Sequence, residues 1–175
     1  MKIYTKTGDD GTTSLYHPSM RCTKADPRMD AVGAVDEFNS TLGVAISHLA
    51  EGSKTADQLE YIQRKLFKVG TNLATPEQRE DTTLKIEDVL EIEAWIDEVE
   101  ATLTPLTRFI LPSGGIVASQ LHLSRSVCRR AEREVDKLKL EYLLNDFDMS
   151  IKYLNRLSDY LFVLARKFSE KEVLV

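Results

Sequence analysis

The sequence predicts an all-α protein: a five-helix bundle with an irregular N-terminal nucleotide-binding loop. In five stretches of the 175-residue chain, apolar residues recur at steps of three and four, which is the period of an amphipathic helix. Proline, glycine and short polar runs separate these stretches. After residue 26 no strand-like alternation competes with this period. The length fits one domain, in which residues 1–26 form the loop and residues 27–170 the bundle.

The first 26 residues show no helical period. They are rich in Thr, Gly, Asp, Ser and Lys, and Pro18 and Pro27 act as breakers, which predicts a loop or a hairpin. Asp26 followed by Pro27 is typical of an N-cap and a first helical residue, so helix one begins here. Its apolar stripe is Val35, Phe38, Leu42, Ala45 and Leu49.

Helices two and three have the same spacing. A possible capping box at Thr55 and Gln58 precedes helix two, which stops before Pro76, and Pro105 follows helix three. The two stripes are Leu59, Ile62, Leu66, Val69 and Leu73, and then Val89, Ile92, Ile96, Val99 and Leu103.

Helices four and five lie beyond the turn at Pro112 to Gly115. Helix four is long, and the small residues in its seam let neighbouring helices approach closely. The stripes are Val117, Leu121, Ser124, Cys128, Ala131, Val135 and Leu138, and then Ile151, Leu154, Ser158, Leu161, Ala165 and Phe168. Neighbours that are joined by short connections should pack roughly antiparallel.

Charge and cysteine content narrow the class of protein. A formal net charge of -5 argues against a protein that coats nucleic acid or an acidic membrane surface. Cys22 and Cys128 lie far apart, and the chain has no secretory apolar region and no apolar run of membrane-spanning length. We therefore expect a cytoplasmic protein with reduced thiols.

The segment Thr5–Ser14, which we call the Thr/Gly segment, is the first candidate site. Its two glycines free the backbone, and its hydroxyls, N–H groups and Lys6 can donate to phosphate oxygens, although the segment is not a Walker motif. The competing interpretation is a plain hairpin with Asp10 and Gly11 at the turn. Because Asp9 and Asp10 would repel a bare triphosphate, a cation such as Mg²⁺ should mediate phosphate binding here.

The second candidate is a cluster on helix four, where Arg125, Arg129, Arg130 and Arg133 fall within nine residues together with Glu132. Arg125, Arg129 and Glu132 share one face, and guanidinium groups bind phosphate through two parallel hydrogen bonds. The competing interpretation is a solvated charged face in which Glu132 is the partner of the arginines.

Further polar candidates lie on helices one and five. Asp36 stands beside the seam of helix one, and Arg125 or Arg129 is its natural partner, either for binding or as a purely structural ion pair. Asn155 and Asp159 share a face of helix five as binding groups or as ordinary surface residues.

The histidines do not predict a metal site. None of His17, His48 and His122 follows a Glu by three residues, and no Cys-x-x-Cys pair occurs, so we predict no protein-ligated structural metal. Neither a nucleophile elbow nor a kinase or dinucleotide-binding fingerprint is present.

Several blocks, taken together, point to one family. They are IYTKTGDDGTTSL, KADPRMDAVGAVDEFN, RFILPSGG, LHLSRSVCRRAERE and YLNRLSDYLFVLAR, and they span residues 3 to about 166. In this order and spacing they resemble the ATP:corrinoid adenosyltransferases of the propanediol-utilisation and methylmalonic-aciduria type. The resemblance implies that the 5′-deoxyadenosyl group of ATP is transferred to the cobalt of cob(I)alamin.

The resemblance also implies a homotrimer with ATP, Mg²⁺ and base-off cobalamin bound between subunits. Asp36 would pair with Arg125 across the interface, Arg129 would act on the phosphates, and Phe109 would stand below the corrin ring. The implied ATP-binding residues are Thr5, Lys6, Thr7, Gly8, Thr13, Ser14, Lys24, Arg28, Arg129, Arg130, Glu132, Arg133 and Asn155. A flavin-dependent reductase and an adenosylcobalamin-dependent client enzyme are the protein partners that the family suggests.

Three residues depart from the common family pattern: Asp30 replaces Glu, Phe38 replaces Leu, and Ser113 replaces Gly. The side chain of Asp30 is shorter than that of Glu, which would alter a contact to the nucleotide ribose or to the loop, so Asp30 is left outside the predicted site. The alternative function is a non-catalytic ATP-binding bundle that senses nucleotide or carries finished coenzyme. A purely structural helical subunit would leave the Thr/Gly segment and the arginines without a role.

Overall fold

The computed structural model describes residues 2–17, 19–75, 82–142 and 147–175. It contains the predicted bundle, and every predicted stripe lies on or directly beside its own helix, so the fold class is confirmed. The helices are α1 (Pro27–Ile46), α2 (Lys54–Leu73), α3 (Ile86–Glu100), α4 (Ile116–Tyr142) and α5 (Asp148–Lys167), and they follow a small hairpin of β1 (Thr12–Ser14) and β2 (Arg21–Thr23).

The start of α1 matches the prediction. The side chain of Asp26 accepts a hydrogen bond of 2.8 Å from the backbone N–H of Arg28, and Pro27 is the first helical residue. Proline fits this position because its missing N–H would have no helical partner.

The predicted capping box of α2 is wrong. Ser53, and not Thr55, is the N-cap, because the chain turns at Gly52 with a φ of +66° and leaves Ser53 in an extended conformation. Thr55 is already buried inside the first turn. The side chain of Gln58 instead accepts a hydrogen bond of 2.8 Å from the hydroxyl of Tyr160 in α5.

The N-terminal hairpin is present, but Asp10 and Gly11 do not form its turn. They precede β1, and residues 15–20 connect the two strands. Asp10 accepts hydrogen bonds from the backbone N–H (3.0 Å) and the hydroxyl (2.7 Å) of Thr12, a local turn that competes with the tight hairpin turn expected of an Asp-Gly pair.

Side-chain contacts fix the helix directions. A Glu37–Arg130 ion pair and a Tyr142–Asp26 hydrogen bond set α1 antiparallel to α4. α1 also packs against α2, and α5 packs against both α3 and α4. The bundle encloses one apolar core, whose largest fully buried side chains are Tyr153, Tyr160, Phe38, Leu42, Leu59, Ile62, Leu66, Leu73, Ile92, Leu121, Leu138 and Leu154.

Residues 169–175, which we call the C-terminal strap, follow α5 and turn back along the loop between α3 and α4. Ile110 and Leu174 form an antiparallel bridge there. Within the described ranges, no helix is long and apolar enough to cross a membrane. Cys22 and Cys128 are both free thiols.

Candidate functional site

Lys24 and the Thr/Gly segment, which lie apart in sequence, come together in the structure. The Lys24 ammonium donates a hydrogen bond of 2.8 Å to the carbonyl oxygen of Gly8. A Cβ atom on Gly8 would lie 2.9 Å from the carbonyl oxygen of Thr12 and 3.4 Å from the Lys24 Nζ. Glycine is therefore required at this position, because a larger residue would push β1 or the lysine away.

Arg21 organises this segment, and the sequence analysis missed it. Its guanidinium donates to the carbonyl oxygen of Thr7 (2.5 Å), to the hydroxyl of Ser14 (3.1 Å) and, from Nε, to the hydroxyl of Thr12 (3.2 Å). Arg21 lies opposite Ser14 in the hairpin register. Only the register reveals this role, because nothing in the sequence marks Arg21 as different from other exposed arginines.

The exposed end of the segment presents hydroxyls and a strained lysine. The Thr5 and Thr7 side-chain oxygens lie 2.9 Å apart in a hydrogen bond. Between them, Lys6 has a φ of 60°, and it is the one residue other than glycine with a positive φ in the described part of the chain. A lysine in this left-handed conformation costs on the order of 1 kcal/mol, which is typical of backbone held in place for binding.

The charge of Asp10 is already compensated within the segment. The hydrogen bonds from Thr12 lower the pKa of the Asp10 carboxyl, and Arg21 at 3.9 Å adds to this effect. Asp9 is exposed and makes no hydrogen bond or ion pair with any described residue. Of the two adjacent carboxylates, Asp9 is the one that remains available to a cation.

Arg28 is nearly buried and contacts the ends of two other helices. Its guanidinium donates a hydrogen bond of 2.5 Å to the carbonyl oxygen of Leu73 at the end of α2, and its Cζ lies 5.5 Å from the centre of the Tyr142 ring. The residue is only 8% exposed. It joins the ends of α1, α2 and α4, and its contact with nucleotide stays a prediction.

Two arginines of α4 have unused hydrogen-bonding capacity. The Nε of Arg125 is buried without a partner, and its guanidinium lies 5.9 Å from the centre of the Phe162 ring. Burial, and then the charge of Arg129, lower the pKa of Arg125. Arg129 is exposed and donates no hydrogen bond to any residue that the structure describes. This face of α4 is thus prepared for an anion.

The other charged residues of the cluster are engaged. Arg130 pairs with Glu37 of α1, and Arg133 donates a hydrogen bond of 3.0 Å to the backbone carbonyl of Arg129. Glu132 accepts a hydrogen bond of 3.0 Å from the Asn155 side chain of α5. Glu132 is therefore the partner of α5 and not of the arginines, while Arg129, Arg130 and Arg133 are exposed to solvent, so the choice between a solvated face and an anion site stays open at this point.

Asp36 has no ion-pair partner among the described residues of its own chain. It is exposed at a groove of about 390 Å³ between α1 and α2, where Phe67 is also exposed and Asn39 has a buried, unpaired side-chain oxygen. The ion pair that joins α1 to α4 is made by the neighbouring Glu37. Neither Asp36 nor Arg125 thus has an ionic partner in the part of the chain that the structure describes.

Phe109 is 85% exposed, which is unusual for a large aromatic residue. It lies in residues 104–114, which we call the Phe109 loop. The start of this loop, with Leu106, forms one wall of a groove of about 670 Å³ between α3 and α5, and Phe162 and Arg156 line the opposite wall.

The Thr/Gly segment and the arginines of α4 remain separate within one chain. In residues 2–17, 19–75, 82–142 and 147–175, no hydrogen bond or ion pair joins the two. The same ranges contain no group of three His, Cys, Asp or Glu side chains that could hold a metal ion.

Residues 3–168 match the cobalamin adenosyltransferase family over almost the whole chain. The chain belongs to this family. The family predicted from the sequence blocks is thus confirmed, and the free Arg129 and the exposed Phe109 lie within the matched range.

Relatives in this adenosyltransferase family are similar to the chain over nearly its full length. The chain is 48% identical to the corrinoid adenosyltransferase MMAB of Homo sapiens, over 98% of this chain and 70% of that protein. It is 41% identical to a corrinoid adenosyltransferase of Bacillus subtilis, over 95% of this chain and 86% of that one.

Solved structures share the fold. A phenylalanine-to-alanine variant of a PduO-type ATP:corrinoid adenosyltransferase from Lactobacillus reuteri, complexed with cobalamin and ATP, superposes with a TM-score of 0.87. It is 34% identical, and the match covers 99% of each chain. An arginine-to-lysine variant from the same organism, complexed with ATP, gives a TM-score of 0.85 at 34% identity over 99% of each chain.

Proposed function

We propose that this protein transfers the 5′-deoxyadenosyl group of ATP to the cobalt of cob(I)alamin and releases triphosphate. The observation that carries the proposal is the unpaired guanidinium of Arg129 beside the half-buried Arg125, in a chain of the cobalamin adenosyltransferase family. An ATP sensor or coenzyme carrier would also bind phosphate. It would have no need to expose Phe109 to water on a loop beside a large groove.

ATP is held by two sets of residues. The first set encloses the triphosphate with hydroxyls, backbone N–H groups and an ammonium, and consists of Thr5, Lys6, Thr7, Gly8, Thr13, Ser14 and Lys24, with Arg28 behind it. The second set lies on α4 and α5 and consists of Arg129, Arg130, Glu132, Arg133 and Asn155. Arg129 supplies the free guanidinium, and the Glu132–Asn155 hydrogen bond fixes the helix face from which it projects.

Mg²⁺ accompanies the triphosphate, and the donor set of the Thr/Gly segment fits this ion. Carboxylate and hydroxyl oxygens are the ligands that Mg²⁺ prefers, and it is usually held by one or two carboxylates plus substrate phosphates. Asp9 is the available carboxylate, since Asp10 is committed to Thr12. The ion offsets the repulsion between Asp9 and the phosphates.

Cobalamin binds as a substrate, with its lower axial base displaced and Phe109 beneath the corrin ring. An aromatic ring at this position keeps water from the cobalt, and the absence of an axial ligand makes the reduction of Co(II) to Co(I) easier. The exposure of Phe109 supports this role, because covering an apolar side chain of this size with another apolar surface removes it from water and stabilises the complex.

The reaction needs no protein nucleophile. The electron pair of Co(I) attacks the 5′ carbon of ATP, the cobalt–carbon bond forms, and the carbon–oxygen bond breaks as triphosphate leaves with its electron pair. The cobalt is formally oxidised to Co(III). Lys24 and Arg129 stabilise the charge that develops on the leaving group, while the rest of the site positions the two substrates in line.

The active protein is a homotrimer whose sites lie between subunits. Two observations support this. Among the described residues of one chain, the two parts of the ATP site share no polar contact, and neither Asp36 nor Arg125 has an ionic partner. A second copy supplies each with the other, and because Arg125 is already half-buried without a carboxylate, the ion pair offsets a desolvation cost that the single chain bears. Light scattering should then show that Asp36→Arg lowers the assembly state and that Arg125→Asp added to it restores the trimer.

The free thiols of Cys22 and Cys128 support a cytoplasmic location, where thiols remain reduced. There a flavin-dependent reductase supplies the electron that forms cob(I)alamin, and an adenosylcobalamin-dependent enzyme takes the product. Both partners follow from the chemistry, because the Co(I) substrate is readily oxidised and must be formed by a reductase where it is used, and the product serves as a coenzyme for enzymes of that class.

The test mixes the purified protein with ATP, Mg²⁺ and chemically reduced cob(I)alamin without oxygen, and follows the absorbance change to adenosylcobalamin. We expect catalytic turnover. Binding of ATP without product would favour the sensor or carrier alternative, and binding of neither ligand would exclude both functions.

A further inference from the structure

The Phe109 loop is tied to the rest of the protein by the end of the chain. Leu111 N–H donates to the Val173 carbonyl oxygen and Val175 N–H donates to the Phe109 carbonyl oxygen, each at 2.9 Å. Glu170 N–H donates to the Gly114 carbonyl oxygen at 3.0 Å. The bonds at Phe109 and Leu111 flank the bridge residue Ile110, so the strap fixes the backbone on both sides of it.

Arg166 provides the remaining attachment of the loop. Its Nη2 donates a hydrogen bond of 2.8 Å to the Thr104 carbonyl oxygen, where the loop begins, and its Nε donates one of 2.7 Å to the Glu172 carboxylate in the strap. Within the described ranges, the hydrogen bonds that join residues 104–114 to other elements run to Arg166 or to the strap.

The burial of this pair separates it from an ordinary surface salt bridge. The side chain of Arg166 is 5% exposed, and that of Glu172 is 27% exposed. Exposed pairs contribute little because water competes for both partners, whereas a buried arginine leaves a large cost if its carboxylate is lost. Arg166 sits at the end of α5, a rigid element, and so offers the loop and strap a fixed point.

We propose that Arg166 and Glu172 are positioning residues for the reaction, because they hold the strap against the Phe109 loop and so set the place of the Phe109 ring. The inference rests on the proposed function of Phe109. The ring itself is 85% exposed, so its own packing cannot fix it, and its backbone must. If the loop moves freely, the ring no longer stays beneath the cobalt and water reaches the metal from that side.

The test uses Glu172→Ala in the full-length protein, with Glu172→Gln as the milder change that keeps a hydrogen-bond acceptor. Glu172 is partly exposed and does not itself line the groove between α3 and α5, so its truncation removes no atom from the groove lining. The matched control is Glu98→Ala, which removes the carboxylate of the exposed Lys54–Glu98 pair, since neither partner makes a hydrogen bond to a described residue of the loop or the strap.

The first readout is hydrogen exchange of the Leu111 and Val175 amides in the protein without ligands. Opening of this segment should become at least about fivefold more frequent in Glu172→Ala, less in Glu172→Gln, and should be unchanged in Glu98→Ala. Unchanged exchange at both amides in Glu172→Ala would overturn the proposed pairing, whatever the protein's activity.

The second readout is the rate at which a reduced flavin converts bound cob(II)alamin to cob(I)alamin, measured beside the Kd for ATP. Glu172→Ala should slow reduction at least about fivefold and leave the ATP Kd within about twofold of the parent. Adding Glu172→Ala to Phe109→Ala should slow it no further than Phe109→Ala alone, since both act on one ring. Additive effects would show that Glu172 acts elsewhere and would refute the positioning role.

These outcomes keep the inference apart from the proposed function. If the unaltered protein forms no adenosylcobalamin from chemically reduced cob(I)alamin, the proposed function is wrong, although amide exchange still decides whether the pair holds the loop. If Phe109→Ala leaves cobalt reduction unchanged while the protein turns over, the role of the ring is wrong, and the consequence proposed for Arg166 and Glu172 fails with it.

Discussion

Replacing Arg129 with alanine should remove turnover and leave the fold intact. Arg129 is exposed on α4, and within the described ranges it donates no hydrogen bond and makes no ion pair. Alanine is the best helix former, so the helix loses nothing at this position, and Arg125 loses a neighbouring positive charge that lowers its pKa.

The expected sizes of the two effects differ widely. Each hydrogen bond between a guanidinium and a phosphate contributes about 1.5–3 kcal/mol, and loss of one preorganised donor to a developing negative charge typically lowers kcat by about 10²–10³-fold. We expect a loss of turnover in that range. The free energy of unfolding should change by less than about 0.5 kcal/mol, which corresponds to a Tm shift within about 2 °C.

The assay follows adenosylcobalamin formation from ATP and chemically reduced cob(I)alamin, with Tm measured on the same preparations. Lys137→Ala is the matched control, because Lys137 is an exposed cation of the same helix with only an i,i+3 partner, Glu134. It should turn over at the normal rate. Turnover of a folded Arg129→Ala within about threefold of the parent would refute the reasoning, since a guanidinium that matters to the leaving group cannot be that dispensable.

Three further predictions concern the loop, its turn and a buried histidine. Phe109→Ala should slow reduction of bound cob(II)alamin far more than it weakens ATP binding, because the role proposed for the ring is beneath the corrin and not at the phosphates; equal effects in both assays would contradict this. Gly114→Ala should lower the free energy of unfolding by about 2–3 kcal/mol, since φ is +115° and a Cβ would lie 2.1 Å from the Ser169 hydroxyl oxygen. Thermal unfolding should show a smaller loss for the control Gly52→Ala, because φ there is +66° and a Cβ would meet nothing within 4 Å. Burial, and then the charge of Arg125, lower the pKa of His122 below 6.5, so the unfolded chain takes up this proton at a higher pH than the folded one. Stability should therefore fall as the pH drops below about 6.5, by at most about 1.4 kcal/mol per unit, and urea unfolding between pH 7.5 and 5.5 should show a weaker fall in His122→Gln if the assignment is right.

The fold was predictable because burial imposes a period. The stripes of α1 to α5 recur every three or four residues, and a helix that packs against neighbours must carry such a stripe. The cap of α2 was not predictable in the same way. Ser53 and Thr55 are both good N-cap residues, and the choice depends on the positive φ of Gly52, which is a property of the turn.

The residues predicted for the site were found by chemistry and resemblance, and the structure divides them by what they contact. Lys24 meets the Thr/Gly segment at Gly8, and Arg129 is free. Arg28 instead supports the end of α2. Sequence alone could not separate these arginines, because an arginine that stabilises a helix end and one that awaits a phosphate are the same residue type in a similar polar context.

Arg21 and Arg166 escaped the sequence analysis for a related reason. Each acts on backbone carbonyl groups that are distant in sequence, Thr7 for Arg21 and Thr104 for Arg166. Because every residue has a backbone carbonyl group, such a contact does not constrain the residue type of the partner, and no sequence motif indicates it. They become visible only when the hairpin register and the path of the C-terminal strap are known.

An unpaired buried charge and an uncovered aromatic ring mark the proposed binding surfaces of the molecule. Elsewhere in the bundle a half-buried charge such as Asp88 is satisfied, here by Lys65 and the N–H of Lys85, as the cost of burying unpaired charge requires. The buried, unpaired Nε of Arg125 breaks this rule, and the exposed ring of Phe109 departs from the usual burial of large aromatic residues. A single chain would be more stable with a smaller residue at either position. The roles proposed above supply these partners from outside the chain, a second copy for Arg125 and the corrin ring for Phe109, and the light-scattering and cobalt-reduction measurements each test one of them.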